Sequence, residues 1–363
     1  MQRRNFLKTL GAGAAGVAAA PFVATTAKAQ ETITWDMVTS WPRNFPALGT
    51  GANEFAQRVE ALSGGRMRIR VHGAGELVPA MEVFDAVAAG TAEMGHSTAY
   101  YWRGKVAASQ FFTAVPFGMN TTETNAWLYH GGGQELWDEI YAKHNLKPFA
   151  VGNTGTQMAG WFKKEINSLS DMQGIRLRLP GLAGEAMNRI GVTTVTMPAS
   201  EIFTSLQTGV LDAADWVGPY NDMALGLHQV TDYYYTSVWN EPSAVLEGTV
   251  NLDAWNALPD DLKAVVREAA KASNLSMISE FAYRNAQALE TLVEEHGVQL
   301  RTFPEDVMQA LYDASMEVVQ AQVDSDPDSK KVYDSYVAFQ QLVRPFSDVG
   351  EYSYLKGREA VGA

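Results

Sequence analysis

From Pro259 to about His296 apolar residues recur at helical spacing, from Leu262, Val265 and Val266 through Ala269, Leu275, Ile278, Phe281 and Ala282 to Leu289, Leu292 and Val293. The pattern predicts one very long helix, or two in line. At about 1.5 Å per residue it would run roughly 55 Å, more than the width of one small domain. Such a helix is expected to brace two lobes rather than sit inside one. Its start is marked by Leu258-Pro259-Asp260-Asp261, with proline and acids placed in the first turn.

The rest of the chain fits two lobes. Short runs of strand character at 33–37, 67–71, 93–97, 147–151, 160–162, 175–179, 194–197 and 213–217 alternate with helical stretches at 47–62, 78–89, 184–190 and 201–208. Alternation of this kind predicts an α/β fold, with helices packed on mostly parallel sheets. Further helices are expected at 307–323 and 330–342, while the tail 352–359 has no evident place in either lobe. At 363 residues the chain exceeds what one core usually holds, and two domains are the default expectation.

The N-terminus predicts export. Gln2-Arg3-Arg4-Asn5-Phe6-Leu7-Lys8 places paired arginines ahead of a Gly/Ala-rich apolar run, and Ala27-Lys28-Ala29 offers a small-x-small cleavage site. This reads as a twin-arginine signal peptide over residues 1–29, with a Sec signal as the alternative, and the periplasm as destination. Removing it takes four of the 28 basic residues and none of the 41 acidic ones, leaving 24 against 41, a net charge of −17. So acidic a chain lacks the basic stripe expected of a nucleic-acid binder, and no nucleic acid is expected as partner. With no cysteine there can be no thiolate metal site, iron–sulfur cluster or cysteine nucleophile.

A search for catalytic sets finds little. The six histidines fall in no metal-ligand spacing, Gly152-Asn153-Thr154-Gly155-Thr156 lacks the ending of a phosphate loop, and neither GxSxG nor GxGxxG occurs. No enzyme activity is expected. In Gly174-Ile175-Arg176-Leu177-Arg178-Leu179, alternation sends Arg176 and Arg178 to one strand face. A guanidinium at a strand end can clamp a carboxylate through two parallel hydrogen bonds. On spacing alone, a solvated edge or a structural ion pair explains the pair at least as well.

The next cluster runs Pro198-Ala199-Ser200-Glu201-Ile202-Phe203-Thr204-Ser205-Leu206-Gln207-Thr208-Gly209-Val210-Leu211-Asp212-Ala213. Together with Gly174 to Arg178 and Leu258-Pro259-Asp260-Asp261-Leu262, it resembles the solute-binding proteins of TRAP transporters, the DctP type, over essentially the whole exported chain. The segments Gly95-His96-Ser97-Thr98-Ala99-Tyr100-Tyr101-Trp102, Gly155-Thr156-Gln157-Met158, Asp215 to Asp222 and Trp239-Asn240-Glu241-Pro242 are most similar to the subgroup that binds 2-oxo or 2-hydroxy monocarboxylates with a metal ion.

The resemblance implies a two-lobed periplasmic receptor for pyruvate, a longer 2-oxoacid or lactate, which hands its ligand to TRAP membrane permease subunits. Lobe I would comprise 30–152 plus about 242–300 with the bracing helix, and lobe II 153–241 plus about 301–330. The helical tail 331–363 resembles one that exchanges between protomers, which implies a homodimer. Arg178 is implied as the carboxylate anchor. The Gln157 side-chain oxygen, the Asp215 carboxylate, the Trp216 carbonyl and the Glu241 carboxylate are implied as cation ligands, with a solvent-facing loop acid the alternative at Glu241. An all-oxygen set suits Ca²⁺ or Na⁺ rather than zinc. At Asp215 the chain departs from relatives that carry Glu, and two acids favour the divalent ion. Within the aromatic run Tyr100-Tyr101-Trp102, the Tyr101 hydroxyl is implied to reach the ligand; Trp216 would wall it, and Asn153 is a further polar candidate. A sensor or scavenger of the same fold, and an exported metal-dependent hydrolase, are the alternative readings.

Overall fold

The computed structural model describes residues 32–236 and 238–362, so the expected export signal lies outside the described residues. Two sheets carry the fold. The first contains β1 (Ile33–Thr39), β2 (Met67–His72), β3 (Met94–Ser97), β4 (Leu146–Asn153) and β10 (Val245–Asn251), in the order β2-β1-β3-β10-β4. The second contains β5 (Gly160–Phe162), β6 (Arg176–Arg178), β7 (Thr193–Val195), β8 (Ala213–Ala214), β9 (Tyr233–Tyr235) and β11 (Gln299–Arg301), in the order β11-β9-β5-β8-β6-β7.

Both sheets are mixed, and the expected parallel direction holds for all but one strand in each, β10 in the first and β5 in the second. β10 runs antiparallel to β3 and β4, and β5 runs antiparallel to β8 and β9. The reason lies in the connections. The chain leaves the first sheet at the end of β4, enters the second at β5, and returns from β9 into β10. A returning strand that enters at the end where its partner left must run the opposite way.

The long helix forms as one piece, Asp260–Glu294, 35 residues, with Asp260 and Asp261 in its first turn. At a rise of about 1.5 Å per residue it spans about 52 Å. Its first half places Leu262, Val266, Ala269 and Ala270 in a core with Trp35, Phe55 and Phe149 of the first lobe. Its second half places Met277, Phe281 and Leu292 with Trp161, Leu206 and Tyr234 of the second. Near the middle, Met277 packs where a Cβ at Gly51 or Gly152 would lie 2.5 Å from its side chain, so two glycines let the helix approach closely. The buried stripe runs one position aside from several expected residues: Leu275 is 66% exposed, whereas Ser273 and Asn274 are buried. Asn274 tolerates burial because its amide donates to Asn125 Oδ1 (2.9 Å) and the Tyr129 hydroxyl (2.8 Å).

A second brace follows. Helix Glu305–Ser325 begins in the second lobe, where Val307 and Leu311 pack with Phe162 and Tyr235. It ends in the first, where Val318, Val319 and Val323 join Phe111 and Trp127. Helix Pro327–Ser347 is capped by Asp326, whose side chain accepts from Ser329 N–H. Instead of ending near 342, it continues past Pro345 into a π-type turn, Asp348–Tyr352, and a last helix, Ser353–Ala360. Among the described residues no helix is long and apolar enough to cross a membrane.

Candidate ligand and cation site

The carboxyl ends of β3, β4, β6 and β8 meet the start of β10 where the chain crosses between sheets, the position at which α/β sheets commonly hold ligands. The end of β3 carries Thr98, Tyr100 and Tyr101, and the end of β4 carries Asn153, Thr154 and Gln157. β6 supplies Arg178, β8 supplies Asp215 and Trp216, and the segment ahead of β10 supplies Asn240 and Glu241. Trp41, Thr98, Tyr100, Tyr101, Thr154, Gln157 and Trp216 help to line a narrow cleft with about 10 Å³ of free internal volume.

Arg178 has no solvent exposure. Its Nη1 donates to the Asp215 carbonyl (2.8 Å), Nη2 to the Tyr101 hydroxyl (3.0 Å) and Nε to the Met197 carbonyl (3.3 Å). These acceptors are neutral, and the nearest Asp215 carboxylate oxygen stands 4.0 Å from Nη1, beyond hydrogen-bond length. The Trp216 ring lies 4.9 Å from the guanidinium carbon. Arg176, two residues earlier, instead forms a bidentate ion pair with Asp212 at 2.7 and 2.8 Å. The two arginines thus divide between the roles that spacing alone left open: one is a surface pair, the other is buried at the cleft.

Among the described residues, four of the buried side-chain oxygens that have no hydrogen-bond partner gather at the cleft: Gln157 Oε1, Asp215 Oδ2, Asn240 Oδ1 and Glu241 Oε2. Other contacts tie these groups together. Asn240 Nδ2 donates to Asp215 Oδ1 (3.2 Å), Gln157 N–H donates to the Glu241 carbonyl (3.1 Å), and Gln157 Nε2 donates to Thr154 Oγ (3.0 Å). Burial pushes the Asp215 carboxyl up to about 7, against the pull of Arg178. Burial, followed by the nearby charge of Asp215, pushes Glu241 well above the usual carboxylate range. Burial also raises the Tyr100 and Tyr101 phenols, so each keeps a proton to donate.

The apolar wall comes from both lobes. Trp216 meets Trp41 and Phe45 edge-on, each with ring centroids 6.2 Å apart. Trp41 is itself held by His96, whose Nδ1 accepts from the indole N–H at 2.7 Å. Burial pushes the His96 imidazole down to about 4, which keeps it neutral and able to accept. Asn153 is committed elsewhere: Nδ2 donates to Ser243 Oγ (2.9 Å) and Oδ1 accepts from Gly155 N–H (2.8 Å). The structure gives it the task of shaping the loop after β4. Sequence reasoning passed over Trp41, Phe45 and Asn240; only the adjacency of Asn240 to Glu241 could have pointed to the last.

This donor set fits a hard cation. Unpaired buried oxygens are costly unless something fills them, and the set mixes two carboxylates with neutral amides. Among the described residues no group of three or more His, Cys, Asp or Glu side chains is arranged to hold a metal, so neutral oxygens would have to complete the shell, as Ca²⁺ and Na⁺ accept.

A two-lobed α/β fold with a small, charged, largely enclosed cleft between its sheets defines a solute-binding protein. The model for the family "Bacterial extracellular solute-binding protein, family 7" matches residues 37–326, and the chain belongs to that family, the solute receptors of TRAP transporters. A monocarboxylate 2-oxoacid-binding periplasmic protein of a Nostoc species is 40% identical over 360 residues, 98% of each chain. A TRAP periplasmic solute-binding protein from Pseudoalteromonas atlantica, solved with bound sodium and pyruvate, is 38% identical with a TM-score of 0.87, covering 90% of this chain and 99% of its own. A TRAP solute-binding protein from Bordetella bronchiseptica, solved as a mixed-occupancy dimer with calcium and picolinate, is 36% identical with a TM-score of 0.89, covering 91% and 98%.

Proposed function

We propose that the chain captures a small 2-oxo monocarboxylate of the pyruvate type in the periplasm, through Arg178 and a bridging cation, and delivers it to a TRAP permease. The observation that carries this reading is the buried guanidinium with neutral partners beside unpaired oxygens of Gln157, Asp215 and Glu241. With both acids ionised, the guanidinium and two carboxylates would leave the site one charge negative, a state that burial opposes and that repels an anion. A divalent cation together with one ligand carboxylate brings the total to zero, whereas Na⁺ would leave one negative charge in a low-dielectric cleft. Ca²⁺ is therefore favoured.

In this reading Gln157 Oε1, the Asp215 and Glu241 carboxylates and the Trp216 carbonyl hold the cation. When bound there, the cation supplies the positive charge that lets both acids stay ionised. Arg178 takes the ligand carboxylate with its planar fork, the Tyr101 hydroxyl donates to a ligand oxygen, and the Trp216 ring excludes water. No bond in the ligand changes. The paired arginines at Arg3 and Arg4 support export in the folded state by the twin-arginine route. The tail supports a homodimer: Leu342, Phe346 and Val349 are 73–75% exposed at helical spacing, more apolar surface than a free helix usually shows.

A thermal-shift screen tests the reading. Pyruvate, longer 2-oxoacids and lactate are each added with Ca²⁺, with Na⁺ or with a chelator. A 2-oxoacid at 100 times its dissociation constant should add about 2.7 kcal/mol of stability, and only with a cation present. A shift that persists in chelator, or none with any 2-oxoacid, contradicts it.

A further inference from the structure

Asp222 is buried (1% exposed) and accepts four hydrogen bonds. Oδ1 accepts from the backbone N–H groups of Val217 and Gly218, both at 3.0 Å. Oδ2 accepts from the Trp161 indole (2.9 Å) and the Tyr234 hydroxyl (2.7 Å), two side chains stacked with centroids 3.9 Å apart. The carboxylate thus joins a rigid aromatic pedestal on β5 and β9 to the loop after β8.

In a planar trans peptide the N–H of one residue and the C=O of the residue before it point in opposite directions. The Val217 N–H is aimed at Asp222, so the Trp216 carbonyl is aimed away from it. The peptide before Trp216 is held as well, because the Asp215 carbonyl accepts from Arg178 Nη1 at 2.8 Å. The carbonyl of Val217 accepts from Met158 N–H at 3.1 Å. Three consecutive peptide planes are therefore set, and Asp222 sets the one that decides where the Trp216 oxygen faces.

We infer that Asp222 is a positioning residue for the cation, acting through the backbone at Val217 and Gly218 to aim the Trp216 carbonyl. The inference rests on the cation reading above. Asp222 touches neither cation nor ligand, and it differs from a general stabilising residue because its two oxygens divide the work: Oδ1 orients the loop and Oδ2 secures the pedestal.

The test measures Ca²⁺ affinity by calorimetry with pyruvate present, and the melting temperature in chelator, for wild type, D222A, D222N and Y234F. D222A loses the loop anchor and should bind Ca²⁺ at least about tenfold more weakly. D222N retains one oxygen for the two N–H groups and should hold affinity within about threefold, and Y234F, which takes a donor from Oδ2 only, should lower the melting temperature yet leave affinity within about twofold. If D222A does not fold, D222L combined with W161F and Y234F replaces it, since removing every side-chain partner leaves no orphaned donor on the pedestal. Unchanged affinity in D222A overturns the inference, as does an affinity that merely follows melting temperature across the set. A wild-type chain that binds no cation with pyruvate sinks the site reading itself, an outcome distinct from either.

Discussion

At the residue scale, burial of charge organises the molecule, and it does so away from the cleft as well as in it. Glu247, on β10, is fully buried; its carboxylate accepts from the Trp102 indole and, at 2.8 Å, from the Tyr141 hydroxyl. Neither partner is a cation, so burial pushes its carboxyl from an ordinary 4.5 up to about 7. Between these values the folded chain holds a proton that the unfolded chain has lost, so stability falls as pH rises from about 4.5 to about 7 and stays low above it. Replacing Glu247→Gln removes the titration. Denaturant unfolding should show E247Q gaining on wild type by up to ~3 kcal/mol between about pH 5 and pH 8; a difference that stays flat contradicts the burial argument. The same physics marks what was legible in the sequence. Arg178 and Arg176 look alike as letters on one strand face, and only the depth of the cleft at the strand end separates them. Resemblance to a family pointed to Arg178, but the hydrogen bonds that use up Asn153, and the unpaired oxygen of Asn240, depend on side-chain directions that spacing does not encode.

At the scale of elements, strong periodicity was readable and short buried strands were not. The long helix formed as one piece because Leu262, Val266, Phe281 and Leu292 keep one stripe through both cores. β10 escaped notice because Val245-Leu246-Glu247-Gly248-Thr249-Val250-Asn251 mixes polar and apolar residues, yet all seven are buried; the Glu247 and Asn251 side chains are hydrogen-bonded, while Thr249 Oγ is buried without a partner. Helices at Thr121–His130 and Gly133–Ala142 were missed for a related reason, since Trp127 and Trp137 bury against Phe112 in a stack that no local pattern announces. The helix that follows Asp326 was expected to end at 342. Proline at 345 removes one helical N–H, but the freed carbonyl lies on an exposed segment where water can satisfy it. Residues 351–362 are exposed throughout, as are Leu342, Phe346 and Val349, so replacing those three by Ser and deleting 351–363 should cost little stability in the protomer. Light scattering at micromolar concentration should then show a dimer for the intact chain and a monomer for the altered one; an altered chain that remains dimeric removes the tail from the interface.

At the scale of the whole molecule, the two lobes meet through contacts that also build the cleft. Arg178 of the second lobe bonds Tyr101 of the first, Asn221 Nδ2 donates to the Pro46 carbonyl at 3.0 Å, and Trp216 packs on Trp41 and Phe45. Arg103 and Glu185 pair across the rim, though so exposed a pair contributes little. In the proposed reading, closure and recognition therefore share residues: a ligand carboxylate gripped by Arg178 would sit in the seam between the lobes, its charge balanced once the acids at 215 and 241 hold their cation. In the proposed reading Arg178 anchors the carboxylate. That role is tested most directly by calorimetric titration of pyruvate into wild type and R178A with Ca²⁺ present. R178A should lose at least about 2 kcal/mol, roughly thirtyfold in affinity, because truncation leaves the buried anion without its partner. An R178A protein that binds pyruvate as tightly as wild type would contradict it.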